Sequence, residues 1–495
     1  MSSQEISQKL WNLCNVLRDD GVTYHQYLNE LTYILFLKLS DIQIQKKSSD
    51  KVGFAHQIPE EYRWETLKNI TDNKELFDRY RDLLANISTK ADNDSIKEIY
   101  LNASTTLRKP VNLRTLITQI DLIDWYDEDE RDTMGHIYED LLERNANEKK
   151  SGAGQYFTPR PLINAMIRLM APKLGETWND PACGTFGFMI SLDFYLKERY
   201  DYVFSADEKT RKFQQTEALS GVELVQDAHR LALMNAKLHG LDSTIHLNDT
   251  LTEFGKTLSG FDGVLANPPF GTKKGGEKPS RDDLTFLSSN KQLNFLQHIY
   301  RSLKKDGKAR SAVVLPDNVL FEDGDGQKIR KDLMDKCDLH TILRLPTGIF
   351  YAAGVKTNVL FFTRGKSETN NSKKVWFYDM RTNTPNYGKR TAFTEKAFAD
   401  FVTAYTGGLN EEEVFHSYDG SIDHEKRANI KDERWKCISR EEIAKKKDSL
   451  DLGLIADESI TNSEDLGEPI DIAKEALDEL AIITKELNAI IKELN

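Results

Sequence analysis

The chain reads as an α/β protein: an open, mixed and mostly parallel sheet, preceded by a helical domain and followed by a helical tail. Short apolar runs end repeatedly in a polar residue and lead into helix-length segments, which is the rhythm of βα units. Residues 1 to about 145 instead carry apolar side chains at helical spacing, and the last stretch repeats its apolar residues every seven positions. At 495 residues the chain is long enough for two or three domains with a sizeable core.

In the first 145 residues, Trp11, Leu13, Val16 and Leu17, then Tyr27, Leu28, Leu31, Ile34, Leu35, Leu37 and Leu39, set the helical pattern. Leu83, Leu84, Ile87, Leu113, Leu116, Ile117 and Ile120 continue it, which predicts a helical bundle over residues 1–150. The polar, glycine-containing stretch 145–154 reads as a loop between domains. It is followed by Gln155-Tyr156-Phe157-Thr158-Pro159-Arg160-Pro161 and a helix through Leu162, Ile163, Met166, Ile167 and Met170. Thr158 is expected to cap that helix, leaving backbone N–H groups and the positive dipole end free to meet a carboxylate.

A first strand, Thr177-Trp178-Asn179-Asp180, ends in an acid before the small-residue turn Pro181-Ala182-Cys183-Gly184-Thr185-Phe186-Gly187. Such a turn brings backbone N–H groups against a small ligand, and Gly184 and Gly187 permit close approach. The pattern is neither Gly-x-Gly-x-x-Gly nor a phosphate-cradling loop, so Asp180 suits a ligand ammonium group. A second strand, Leu219–Glu223, ends in Glu223, placed to accept from both ribose hydroxyls of a nucleoside. A third, 244–249, ends in Asp249, an acceptor for an adenine amino group.

A fourth run, Phe261-Asp262-Gly263-Val264-Leu265-Ala266, leads into Asn267-Pro268-Pro269-Phe270. The two prolines hold the backbone extended and leave the carbonyls of Asn267 and Pro268 free of local pairing. With the Asn267 side-chain oxygen they form converging acceptors for an exocyclic NH2 group, whose lone pair is then directed at an electrophile. Phe270 offers a flat face for a planar base. The glycine-rich, basic segment Gly271–Arg281 stays open between a loop that orders on DNA and a solvated one. Helices are expected over 292–303 and 327–336, and further strands over 311–314, 341–345 and 358–363.

The order of these motifs resembles an adenine-N6 DNA methyltransferase that uses S-adenosyl-L-methionine. More narrowly, it is similar to the modification subunit of type I restriction–modification systems. The narrower likeness rests on Leu315-Pro316-Asp317-Asn318-Val319-Leu320-Phe321, on Leu345-Pro346-Thr347-Gly348-Ile349-Phe350, and on Gly354-Val355-Lys356-Thr357-Asn358-Val359-Leu360-Phe361-Phe362. It covers residues 130–365 most strongly and implies a Rossmann-like methyltransferase sheet with Asn267, Pro268, Pro269 and Phe270 as the catalytic motif. It also implies that residues 155–160 and Asp180 surround the methionine end of the cofactor, Gly184, Thr185 and Phe186 its turn, Glu223 the ribose and Asp249 the adenine. Phe186 departs from the family, which usually has a small residue there. Phe350 either covers the second face of an everted base or is an ordinary core aromatic.

The resemblance implies double-stranded DNA and a separate DNA-specificity subunit as partners, with a second copy of this chain and a nuclease or translocase subunit as further ones. A net charge of −12 repels a polyanion, so basic patches or a partner must supply much of the phosphate attraction. The expected organisation is a helical domain 1–150, a catalytic domain 151–365, a mixed extension 366–469 and a docking helix 470–495. In that helix Ala473, Leu480, Leu487 and Leu494, with Ala476, Ile483 and Ile490, form a heptad seam that docks on another helix or folds back on this chain.

The four cysteines, Cys14, Cys183, Cys337 and Cys437, are too scattered for a disulfide framework or a zinc site, which fits a reducing cytoplasm and no bound metal. The amino terminus lacks the plan of a signal peptide, and no apolar stretch reaches membrane-spanning length. Two other functions stay open on these residues. A protein-glutamine methyltransferase uses a very similar Asn-Pro-Pro motif, usually ending in Tyr, and a silent scaffold subunit would have lost the acids or Asn267.

Overall fold

The order of strands in the sheet, β3-β2-β1-β4-β5-β7-β6-β8-β9, sets where a ligand can sit. The computed structural model describes residues 3–18, 21–46, 58–123, 125, 137–142, 144, 158–272, 278–346, 348–350, 356–382, 384, 387, 391 and 393–451. The expected linker 145–154, the cofactor residues Gln155, Tyr156 and Phe157, part of the Gly271–Arg281 loop and the heptad helix 470–495 lie outside these.

The first part is helical: α1 Ser3–Arg18, α2 Tyr24–Lys46, α3 Trp64–Lys68, α4 Asn73–Lys90, α5 Asp94–Ile99 and α6 Pro110–Asp121. Asp72 and Asn93 cap α4 and α5 by accepting from Glu75 N at 2.8 Å and Ile96 N at 3.1 Å. The centre of the bundle is α2, in which Tyr27, Leu28, Leu31, Tyr33, Ile34, Leu35, Phe36, Leu37 and Leu39 are all buried. A helix apolar on every side must be surrounded, and α2 packs against α1, α3 and α6 on one side and against the sheet domain on the other.

The strands are β1 Trp178–Asp180, β2 Leu219–Glu223, β3 Thr244–Leu247, β4 Gly263–Ala266, β5 Arg310–Pro316, β6 Cys337–Arg344, β7 Thr357–Arg364, β8 Lys374–Asp379 and β9 Trp435–Ser439. The first five run parallel; β7 is antiparallel to both β5 and β6. Side chains alternate between two cores. Val264, Ala266, Val313 and Leu360 face one, under helices α10 Lys291–Ser302 and α11 Asp325–Lys336. Leu265, Ala312, Val314, Val359 and Phe361 face the other, with α7 Arg160–Met170, α8 Gly187–Tyr200 and α9 Gln226–Leu238. This is the three-layer arrangement that a mostly parallel sheet requires. Between β1 and β4 the residue at 263 has to be glycine, because a Cβ there would lie 2.2 Å from the Trp178 ring.

The sheet does not stop at residue 365. Charged stretches mask two more strands: β8, with Val375, Trp376, Phe377 and Tyr378 buried, and β9, whose Trp435 stacks on Trp376 at 4.9 Å. Arg230 of α9 ties the two parts of the molecule together. It donates to Ile99 O at 2.7 Å and Leu101 O at 3.0 Å and lies 5.2 Å from the Tyr33 ring centre. Among the described residues, no helix is long and apolar enough to cross a membrane, and no three metal-ligating side chains gather.

Candidate active site

From β1 the chain steps outward through β2 to β3, then returns to the other side of β1 as β4. The strand order therefore reverses between β1 and β4, and a crevice opens beyond their carboxyl ends. Asp180 closes β1, Glu223 closes β2, Asp249 follows β3 and Asn267 follows β4. All four line one cavity of about 240 Å³, together with Thr158, Arg160, Gly184, Thr185 and Pro269.

The turn after β1 is shaped by backbone strain. Gly184 and Phe186 both have positive φ, 54° and 67°, a region that costs a bulky residue on the order of 1–3 kcal/mol. Phe186 is held there because its side chain is fully buried and packs, with Cys183, over Gly221 of β2. A Cβ at 221 would meet Cys183 Sγ at 2.9 Å and Phe186 Cε2 at 3.0 Å. The expected cofactor role of Phe186 is thus not one of side-chain contact; its ring supports the turn from beneath, and Gly184, Thr185 and Gly187 line the cavity.

Glu223 ties that turn to the next strand. Its Oε2 accepts from Gly184 N at 3.0 Å and its Oε1 from Val225 N at 2.7 Å. Asp180 Oδ1 accepts from Ala182 N at 3.1 Å, and Asp249 Oδ1 from Leu251 N at 2.8 Å. Burial pushes the Asp180 carboxyl up to about 8; the Ala182 N–H works against this and the charge of Glu223 adds to it. Burial likewise raises Glu223, against the N–H groups of Val225 and Gly184. One cation of the lining, Arg160, is engaged elsewhere: it donates to Gly187 O at 3.0 Å and to Ser191 and pairs with Glu139. Among the described residues no ion pair reaches Asp180 or Glu223, and two buried acids so placed make a site that favours a positively charged ligand.

Thr158 does not cap α7; that helix has Pro159 at its N-cap and no side-chain cap. Its hydroxyl oxygen instead accepts from Asn267 Nδ2 at 3.0 Å, which orients the amide and leaves Asn267 Oδ1 buried with no partner. An acceptor orphaned in this way is one that a ligand donor satisfies. The loop after the motif is fastened to the start of α10, where Gly271 N donates to Gln292 Oε1 and Lys291 N to Gly271 O, both at 3.0 Å. Pro268, Phe270 and Phe350 do not line the cavity, and the two rings lie half-buried against the main core.

Lys291 and Phe295, also in the lining, were not foreseen. Their four-residue spacing on the amphipathic start of α10 is the only sequence signal for them. Leu224 and Val225, exposed by 63% and 46%, form an apolar rim directly after Glu223. Asp317 and Asn358, from two of the family-like segments, are bound together away from this lining: Arg381 clasps both Asp317 oxygens, at 2.8 and 2.6 Å, and Asn358 donates to Asp317 at 2.7 Å.

A family model described as N-6 DNA Methylase matches residues 129–458, and one described as HsdM N-terminal domain matches residues 6–120. Among curated relatives, the chain is 43% identical to the type I restriction enzyme StySPI methylase subunit of Salmonella potsdam and to the EcoKI methylase subunit of Escherichia coli K12. Each alignment covers 100% of this chain and 96% of the relative. The crystal structure of the EcoKI M protein aligns at 38% identity and a TM-score of 0.55, over 99% of this chain and 96% of that one. A type I methyltransferase subunit from Streptococcus thermophilus shares the fold, at 21% identity and a TM-score of 0.67, over 92% of this chain and 99% of that one. With the strand-end acids and the Asn-Pro-Pro-Phe motif gathered at one crevice, the chain belongs to the N-6 DNA methylase family as a type I restriction–modification methylase subunit, an adenine-specific DNA methyltransferase that uses S-adenosylmethionine.

Proposed function

We propose that the crevice between β1 and β4 receives S-adenosylmethionine and an everted adenine of double-stranded DNA side by side. The observation that carries this reading is the buried, partnerless Asn267 Oδ1 in the same cavity as Asp180, Glu223 and Asp249. The donor set fits the cofactor: Asp180 for its ammonium group, Glu223 for the ribose hydroxyls, Asp249 for the adenine amino group, and the Gly184–Thr185 backbone against the chain between them. When bound, the cofactor supplies an electrophilic methyl group on a sulfonium.

The protein's own part is orientation. Asn267 Oδ1 and the Pro268 carbonyl accept from the adenine NH2 group and turn its lone pair toward the methyl donor, so no covalent enzyme intermediate is needed. Turning the base out of the duplex costs on the order of a few kcal/mol. Stacking on Phe270, worth about 1–3 kcal/mol, offsets part of this, and Phe350 covers the second face. Phe295 and Leu251 add apolar surface to the cavity wall.

In the assembly, residues 1–150 and the heptad helix 470–495 dock on the DNA-specificity subunit in the cytoplasm, and the catalytic domain 151–365 with its extension 366–469 performs the transfer. A second copy of the chain and a nuclease or translocase subunit complete the complex. A net charge of −12 makes DNA binding by the isolated chain weak, so methylation depends on the partner. The test is transfer of labelled methyl to DNA with and without the specificity subunit. The proposal expects transfer only in its presence; equal transfer without it removes the dependence, and label on protein alone removes DNA as the substrate.

A further inference from the structure

Helix α10 begins at Lys291 in the cofactor cavity and ends at Ser302 in a second cavity, roughly 16 Å away at 1.5 Å per residue. This second cavity, of about 350 Å³, is walled by Arg281, His298, Arg301, Lys305, Lys336 and Arg364, with the carboxylates Asp283 and Glu368.

The charges can be followed pair by pair. Lys336 is matched by Asp332, and Lys256, which also reaches the cavity, by Glu253 and Asp282. Asp283 faces two cations, Arg281 at 2.6 Å and Arg301 at 3.8 Å. Glu368 also faces two, Arg364 at 2.6 Å and Lys305 at 2.8 Å. Two cations over each of two carboxylates, set against the second carboxylate on Lys256, leave one positive charge uncancelled.

Hydrogen-bond donors are also left over. His298 and Arg364 are each 1% exposed, and His298 Nε2 and Arg364 Nε have no partner. The Nδ1 of His298 lies 2.9 Å from Arg281 Nη1, which can only donate, so the ring proton sits on Nε2. Burial holds the imidazole neutral, with its pKa down at about 3. Arg364 spends Nη1 on the carbonyls of Lys336 and Gly365 and Nη2 on Glu368, and its Nε–H stays free. Two buried, directional donors beneath a rim of Arg301 and Lys305, with positive charge in excess, match the acceptors and sign of a phosphate-class anion.

We propose that this cavity is a second ligand site, separate from the cofactor crevice, that takes a compact phosphate-class anion. The depth of the two donors favours a small free anion over a phosphodiester fixed in a duplex, which reaches only the rim.

The test is calorimetric titration of the full chain, saturated with S-adenosylmethionine so that the first cavity is filled. Inorganic phosphate and adenosine monophosphate are titrated separately, to distinguish free phosphate from a phosphate monoester, with chloride at matched ionic strength as control. One-to-one binding of either with Kd below about 1 mM is expected, weakened at least tenfold in Arg301→Ala/Lys305→Ala. Those two side chains lie at the rim, so the double variant should keep the parent's thermal stability without phosphate; Arg364→Lys, which keeps the charge but removes Nε, should weaken binding as well. No saturable heat from either anion up to 10 mM, or affinity unchanged in the double variant, would overturn the site. So would loss of duplex DNA binding in the double variant while neither anion binds the parent.

Discussion

Asp180 gives the sharpest consequence of the site's electrostatics. With its carboxyl raised to about 8 by burial, roughly one molecule in ten carries the charge at pH 7. A cationic ligand binds the ionised form, so its Kd should tighten about tenfold per pH unit up to about pH 8 and level off above, with close to one proton released per ligand at pH 7. The α-amino group of the cofactor titrates near pH 8 as well. Below about pH 8 the amine stays mostly protonated, so the tightening there is the carboxyl's and should be absent in Asp180→Asn. Calorimetry between pH 6 and 9, in two buffers of different ionisation enthalpy, measures both affinity and proton release.

The stability of the free protein gives the same test with its sign reversed. A carboxyl whose folded pKa lies above its unfolded value contributes stability below pH 4, and that contribution is lost as pH rises through about 8. The shift sets an upper limit of about 6 kcal/mol on the loss. Asp180→Asn should therefore be more stable than the parent at pH 8.5 without cofactor, and indistinguishable at pH 4. If parent and variant bind with the same pH dependence and unfold alike at both pH values, the picture of an uncompensated buried acid is wrong.

Three further outcomes follow from the packing and the proposed roles. Gly221→Ala drives a methyl group into Cys183 and Phe186, so chemical denaturation should show a loss of about 1–3 kcal/mol together with weaker cofactor binding; an unchanged midpoint would mean the turn does not rest on β2. Arg381→Ala removes the clasp on Asp317 and the donors to Leu345 O and Thr357 O, and should cost about 3–5 kcal/mol in the same assay. Phe270→Ala should raise the KM for DNA by a factor corresponding to about 1–3 kcal/mol, and Phe270→Tyr should restore it; equal KM values in all three would remove the ring from base binding.

The site was legible because its residues follow short runs whose pattern is local. Leu219–Glu223 is apolar, ends in an acid and is bounded by a helix, and it forms β2 with those same limits. The runs that end at Asp180 and Ala266 likewise stop where their strands stop, although the strands begin at Trp178 and Gly263, one and two residues later than expected. What escaped depends on contacts between distant residues. Thr158 has the look of a helix cap, yet its partner is Asn267, more than a hundred positions away. Phe186 looked out of place in a cofactor turn because its reason, the bare backbone of Gly221, is on another strand. β8 and β9 were hidden because their flanks are charged and the stacking of Trp376 on Trp435 joins segments that carry no shared period. The helical pattern of α2 was plain, but that both of its sides are covered was not, since the second cover comes from α9.

The claim on which all of this depends is that Asn267 orients the amino group of the target base. It is tested most directly by single-turnover methyl transfer to DNA, in complex with the specificity subunit, for the parent and Asn267→Ala, with the Kd for S-adenosylmethionine measured alongside. The account predicts a rate lower by about a hundredfold or more with cofactor affinity unchanged. A variant that methylates DNA as fast as the parent would contradict it.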